Sequence, residues 1–146
     1  MTKSELKQLK IATENLTKWE SSGKAFGYFE IIKDKKPDKI YEFFCLMKLL
    51  DDLRTNYKID LVPGTRTDKI FPEAPSPKTG WPYFVIENKT NATNKYQVCY
   101  GTKIKLSSSP QTKIAPDISF QKENSTQDPD ETMVELIMDA KFKYDD

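Results

Sequence analysis

Residues 83–106 read YFVIENKTNATNKYQVCYGTKIKL, two segments rich in β-branched and aromatic residues with a polar stretch between them. Such residues are enriched in strands, whereas clusters of Asn, Thr and Lys are typical of the turns that separate strands. Downstream, DISFQ and VELIMDAKF continue the pattern. We therefore predict four strands, at 83–87, 96–106, 117–121 and 134–142.

The sequence before these strands is mainly helical in pattern. Residues 38–57, DKIYEFFCLMKLLDDLRTNY, repeat apolar residues at helical spacing, and residues 3–20 predict a second, amphipathic helix capped by Ser4. Residues 25–33 predict a strand or a buried connection. Residues 60–82 contain five prolines and predict a long loop. Helices followed by strands indicate an α+β fold.

Composition excludes several classes of protein. The chain has 146 residues, of which 37% are hydrophobic and 12% aromatic, as expected for a folded domain. No apolar run is long enough to span a membrane, and MTKSELKQLK lacks the apolar core of a secretory signal, so we expect a cytoplasmic protein. Histidine is absent, which excludes Ser-His-Asp and Cys-His catalysis and His-ligated zinc.

Charge is distributed unevenly along the chain. Residues 1–115 carry 20 Lys/Arg and 13 Asp/Glu, a net charge of +7, whereas residues 116–146 carry 3 and 9, a net charge of −6. A basic body with an acidic end fits a polyanion-binding surface beside a cation-binding cluster. The alternative is a solvated face of an ordinary lysine-rich protein.

Two acids and a lysine mark the last two predicted strands. Asp117 opens one strand, and Asp139 and Lys141 share a face of the next because side chains alternate along a strand. The apolar run at 134–138 predicts an interior strand, where ionised residues are unusual unless they are paired or coordinated. Two converging carboxylates repel unless they share a proton or a cation lies between them. Mg²⁺ is a natural choice of cation, and the Ala140 carbonyl could be a further ligand.

Other candidate residues lie outside these strands. Glu42, in the helix at 38–57, either faces solvent or faces the site. Arg66 and Lys69, in the proline-rich loop, are candidates for phosphate contacts, unless this is an ordinary surface loop.

The pattern Pro116-Asp117, a gap, then Asp139-Ala140-Lys141 resembles the PD-(D/E)xK signature of restriction-endonuclease-like nucleases. Residues 40–50, IYEFFCLMKLL, are similar to the helix that precedes the nuclease strands in McrC-like subunits of modification-dependent restriction systems. The ending DAKFK at 139–143 resembles the Asp-Ala-Lys-Tyr-Lys run of that group. The resemblance covers residues 38–143.

The resemblance implies a mixed sheet flanked by helices and hydrolysis of DNA phosphodiester bonds with Mg²⁺ or Mn²⁺. Asp117 and Asp139 would be metal ligands, and Glu42 would assist them. Lys141 would orient or deprotonate water and stabilise the charged transition state. The implied partners are DNA and a motor or DNA-reader subunit. Formation of a homodimer is a further possibility.

The domain prediction follows the reach of the resemblance. We expect an N-terminal helix and connecting segment at residues 1–37 and a nuclease-like domain at residues 38–146. Nucleases of this group continue beyond the Asp-x-Lys strand into another helix and strand, so a fragment that is inactive alone is expected. Two alternatives remain: a non-catalytic nuclease-fold module that binds DNA or a partner, and a plain α+β interaction domain in which Asp139 and Lys141 form an ion pair.

Overall fold

The computed structural model describes residues 1–66 and 70–142 of the chain. These residues form α-helices and antiparallel β-sheets, which confirms the α+β fold class. They divide into two compact units, residues 1–53 with 140–142, and residues 54–139. Among the described residues, no helix is both long and apolar enough to cross a bilayer.

The first unit contains the helices α1 (Lys3–Thr17), α2 (Lys24–Ile32) and α3 (Pro37–Leu53). α1 begins with a capping box, in which the Thr2 hydroxyl accepts from the N–H of Glu5 at 3.1 Å. The Glu5 carboxylate accepts in turn from the N–H of Thr2 at 2.6 Å. The cap is therefore Thr2 and not Ser4 as predicted. α1 packs along α3.

α2 replaces the strand or connection that we predicted at residues 25–33. It starts after Gly23, whose φ of +77° suits glycine, and the Glu20 carboxylate accepts from the N–H of Ala25 at 3.2 Å. Its buried face has helical spacing: Ala25, Tyr28, Phe29 and Ile32. The prediction was wrong because a short apolar run does not distinguish a strand from a buried helix.

α3 is the helix predicted at 38–57, but it ends four residues earlier, at Leu53. Its buried face consists of Ile40, Phe43, Leu46, Met47 and Leu50. The Tyr28 ring of α2 meets the Phe43 ring edge-on, with 4.8 Å between their centroids. The end of the predicted helix instead begins a strand, because Tyr57 pairs with Asn88 across the sheet.

The second unit contains a five-stranded sheet and a separate hairpin. In spatial order the sheet consists of β1 (Tyr57–Val62), β2 (Tyr83–Asn88), β3 (Lys95–Tyr100), β6 (Ile118–Lys122) and β7 (Val134–Met138). The hairpin consists of β4 (Ile104–Leu106) and β5 (Ser109–Ile114). Every strand pairing in the sheet is antiparallel, so the mixed sheet implied by the resemblance is not seen among the described residues.

The strand predicted at 96–106 is two strands, β3 and β4, in different sheets. Gly101 lies between them with a φ of +67°, and its carbonyl accepts from the N–H of Ser76 at 3.0 Å. This turn takes the chain out of the main sheet. β5 was not predicted, because its residues are polar and exposed.

The two faces of the sheet differ in polarity. One face carries buried apolar residues, namely Phe84, Ile86, Val98, Tyr100 and Ile118. Phe71, from the loop before β2, lies against Phe84 with 5.9 Å between ring centroids. The opposite face carries buried polar residues and a thiol, namely Gln97, Cys99, Ser119 and Gln121.

β7 is an edge strand, whereas its apolar sequence predicted an interior one. It follows β6 at the end of the sheet order, and Leu136 and Ile137 are 50% and 48% exposed. It also ends at Met138 rather than at residue 142. The prediction was wrong because an apolar run shows that a strand can be buried, but only pairing decides whether both of its edges are covered.

Candidate functional site

Asp117 and Asp139 lie at the ends of neighbouring strands, as the sequence predicted. Asp117 precedes β6, Asp139 follows β7, and Ile118 pairs with Met138 between them. The N–H of Asp117 donates to Asp139 Oδ1 at 3.1 Å. The carbonyl of Asp117 accepts from the N–H of Gly101 at 2.9 Å, so strands on both sides fix its position.

The surroundings of these two acids suit a hydrated cation. Asp117 is half-buried and Asp139 is exposed, so a bound ion would keep access to water. Mg²⁺ typically takes one or two carboxylates and completes its shell with water or phosphate oxygens, so the pair fits its donor preference. Among residues 1–66 and 70–142, no group of three or more acidic or thiol side chains forms a fuller metal cluster.

The other predicted site residues belong to the first unit. Glu42 lies on α3, with its side chain 17% exposed, and forms an ion pair with Lys39 at 3.2 Å. Ala140 and Lys141 follow Asp139 in sequence, and the next residue, Phe142, lies 5.7 Å from the Tyr41 ring of α3. The metal-binding roles of Glu42 and the Ala140 carbonyl, and the role of Lys141, stay predictions.

The predicted phosphate contacts lie in the loop between β1 and β2. Arg66 is exposed, and its guanidinium lies over the Trp81 ring at 4.4 Å from the centroid. Backbone contacts hold this part of the loop closed, because the N–H of Thr65 donates to the carbonyl of Gly80 at 3.0 Å. Lys69 lies outside the described residues.

A buried polar cluster around Lys78 was missed by the sequence analysis. Lys78 is 2% exposed, and its ammonium donates to the side-chain oxygens of Gln97 and Gln121, the latter at 3.1 Å. The ammonium also lies 4.9 Å from the centroid of the Tyr83 ring. Two glutamines inside predicted strands, Gln97 and Gln121, were the signal that could have located it, because buried amides need partners.

Burial shifts the acid–base behaviour of this cluster. Desolvation lowers the pKa of Lys78 and raises the pKa of the Cys99 thiol to about 11. Cys99 is therefore a protonated thiol at neutral pH and is unsuited to nucleophilic catalysis. The hydrogen bonds of Lys78 hold the loop between β1 and β2 against β3 and β6. β6 is the strand that begins directly after Asp117.

Comparison of the chain with protein-family models, with curated proteins and with solved structures gave no match. The site must therefore be interpreted from its own residues.

Proposed function

We propose that this chain is a magnesium-dependent DNA endonuclease of a restriction or defence system, or part of one, acting in the cytoplasm. The observation that carries the proposal is the contact between Asp117 and Asp139 at the ends of two paired strands. Two acidic residues at adjacent strand ends, joined by the hydrogen bond from the Asp117 N–H to the Asp139 carboxylate, favour a divalent ion, and the sequence sets Lys141 two residues beyond Asp139.

The proposed chemistry assigns a separate task to each group. A bound Mg²⁺ would neutralise the phosphate and lower the pKa of bound water. Asp117 and Asp139 would hold the ion, the former with its backbone fixed by β3 and β7. Lys141 would supply positive charge where negative charge builds up on the phosphate. Basic residues elsewhere in the chain would bind the DNA backbone, so binding should weaken as salt increases.

Two other functions share part of this arrangement. A non-catalytic nuclease-fold module would bind DNA or a partner protein and would leave DNA uncut. A plain α+β interaction domain would bind neither metal nor DNA. Divalent-ion binding at Asp117 and Asp139 would distinguish the endonuclease from the plain interaction domain. DNA cleavage would distinguish it from the non-catalytic nuclease-fold module.

The decisive measurement is the Mn²⁺ affinity of the chain, determined by titration and monitored by calorimetry and by water-proton relaxation. We expect Asp139→Asn to weaken binding at least about tenfold, because an amide oxygen lacks the charge that holds the ion. Glu135→Gln is the matched control, since it removes one negative charge from exposed β7 away from the strand end. Equal Mn²⁺ affinity in Asp139→Asn and the unchanged chain would remove the metal site and the nuclease proposal with it.

A further inference from the structure

Among the described residues, β7 is the last strand in the sheet order and pairs only with β6, so its other backbone edge has no strand partner there. Alternate N–H and C=O groups of an edge strand point away from the sheet, where a further strand can bond to them. The bulge opposite Phe120 and Gln121 affects only the start of β7, and residues 136–138 continue in regular pairing.

Three of the exposed side chains of this edge, at the end of β7, are apolar. Leu136, Ile137 and Met138 are 50%, 48% and 39% exposed, and none of them is a proline or a lysine that would deter pairing. The opposite edge of the same sheet is protected, because β1 exposes the charged side chains of Lys58 and Asp60. The contrast singles out β7 as the edge suited to pairing with another strand.

The charge around β7 indicates which kind of strand would pair there. Of the six acidic residues between positions 123 and 140, Glu123 and Asp128 are ion-paired with Lys95 and Lys105, whereas two others lie on β7 or directly after it. Glu135 is exposed on β7 itself, and Asp139 follows its last residue. A second copy of β7 would bring like charges together, whereas a strand carrying lysine or arginine would be attracted.

We propose that β7 is a docking edge that adds a strand from a partner polypeptide, an extended segment in which apolar residues alternate with lysine or arginine. Main-chain hydrogen bonds would supply part of the affinity, and the apolar side chains of Leu136 and Met138 on one face and Ile137 on the other would add contacts. The docking edge adjoins the metal site proposed above, because Asp139 directly follows Met138, but strand pairing along β7 requires no bound ion.

The test uses synthetic peptides and the full chain, observed by the amide signals of its NMR spectrum. The probe is an eight-residue peptide in which lysine and valine alternate. One control peptide alternates glutamate and valine, and another has the same lysines and valines in two blocks. We expect the alternating lysine peptide to shift the β7 amides and to bind at least about tenfold more tightly than either control.

Variants of the chain locate the binding. Ile137→Lys places a charge on the docking edge and should reduce binding at least about tenfold, whereas Asp60→Lys on the opposite edge should leave binding within about twofold. Circular dichroism of both variants checks that they fold. Equal binding of the control peptides, shifts confined to β1, or no shift in β7 would overturn the proposal. So would a concentration-dependent dimer that Ile137→Lys abolishes, because the occupant would then be a second copy of the chain.

Discussion

The ammonium group of Lys78 occupies a position where lysine is seldom found. It is almost fully buried, and its hydrogen bonds among the described residues go to the uncharged side-chain oxygens of Gln97 and Gln121. Burial lowers the pKa of Lys78, because uncharged oxygens replace the lost water only in part. Removing one member of such a cluster leaves its partners buried with fewer hydrogen bonds, so the costs of removing two members should not add.

We predict that Lys78→Met and Gln97→Met each destabilise the chain by about 1–3 kcal/mol, because each leaves a buried polar group without its partner. The double variant should lose less than the sum of the two. Urea unfolding of the four proteins measures this coupling. Losses that simply add, within about 0.5 kcal/mol, would mean that the two side chains do not stabilise each other.

Cys99 gives a prediction for alkaline pH. The fold raises the pKa of its thiol from 9.0 to about 11, mainly by burial, so the folded chain holds this proton more tightly than the unfolded chain. The stability that results is complete below pH 9 and is lost as pH rises towards 11.

Relative to Cys99→Ala, the unchanged chain should therefore lose about 2–3 kcal/mol of stability across that range. Urea unfolding at intervals of pH, under reducing conditions, provides the comparison. Parallel stability profiles for the two proteins would contradict the prediction.

At the scale of elements, the start of α1 depends on side-chain hydrogen bonds. The Thr2 hydroxyl and the Glu5 carboxylate each accept from the backbone N–H of the other residue. These bonds satisfy two donors that the helix itself leaves unpaired. The pKa of Glu5 is lowered, chiefly by its hydrogen bond to the Thr2 backbone, which agrees with this role.

Thr2→Ala should destabilise the chain by about 1 kcal/mol, the usual cost of removing an N-cap side chain. Ser4→Ala is the matched control and should change stability by less than about 0.5 kcal/mol, because Ser4 is an exposed residue inside the helix. Thermal unfolding of both variants checks the order. A larger loss of stability in Ser4→Ala than in Thr2→Ala would contradict the prediction and would indicate that Ser4 is the N-cap.

For the molecule as a whole, the proposed function depends on two kinds of residue, the acids Asp117 and Asp139 and the lysine Lys141. The proposal gives them different tasks, since the acids hold the ion and the lysine stabilises charge on the phosphate. A variant of either acid should therefore lose both metal binding and cleavage, whereas a variant of the lysine should lose cleavage alone.

Lys141→Ala should keep Mn²⁺ affinity within about twofold and lower magnesium-dependent cleavage at least about a hundredfold. The measurement is the cleavage of supercoiled plasmid. It is made with this chain if the chain cuts DNA, and otherwise with a longer protein that contains it and does so. Asp139→Asn should lose both metal binding and cleavage. Normal cleavage by Lys141→Ala would end the assignment of this lysine.

The sequence predicted those elements whose pattern is local and repeated. The helix at α3, the strands β2 and β6, and the pairing of β6 with β7 followed from periodicity and turn residues, and the structure confirms them. α2 was not predicted as a helix, and β5 not at all. The short apolar run of α2 fits two structures, and the polar residues of β5 pair only because β4 lies beside them.

Composition and strand alternation, which are local properties, were enough to predict the fold class, to exclude histidine chemistry and to select Asp117 and Asp139 as candidates. Tertiary structure decided which edges and faces are exposed. It made β7 an edge strand and buried Lys78 between two glutamines 24 residues apart in sequence, Gln97 and Gln121. Such contacts depend on which strands become neighbours, and neighbours are selected by the free energy of the whole packed unit rather than by the pattern of any one segment.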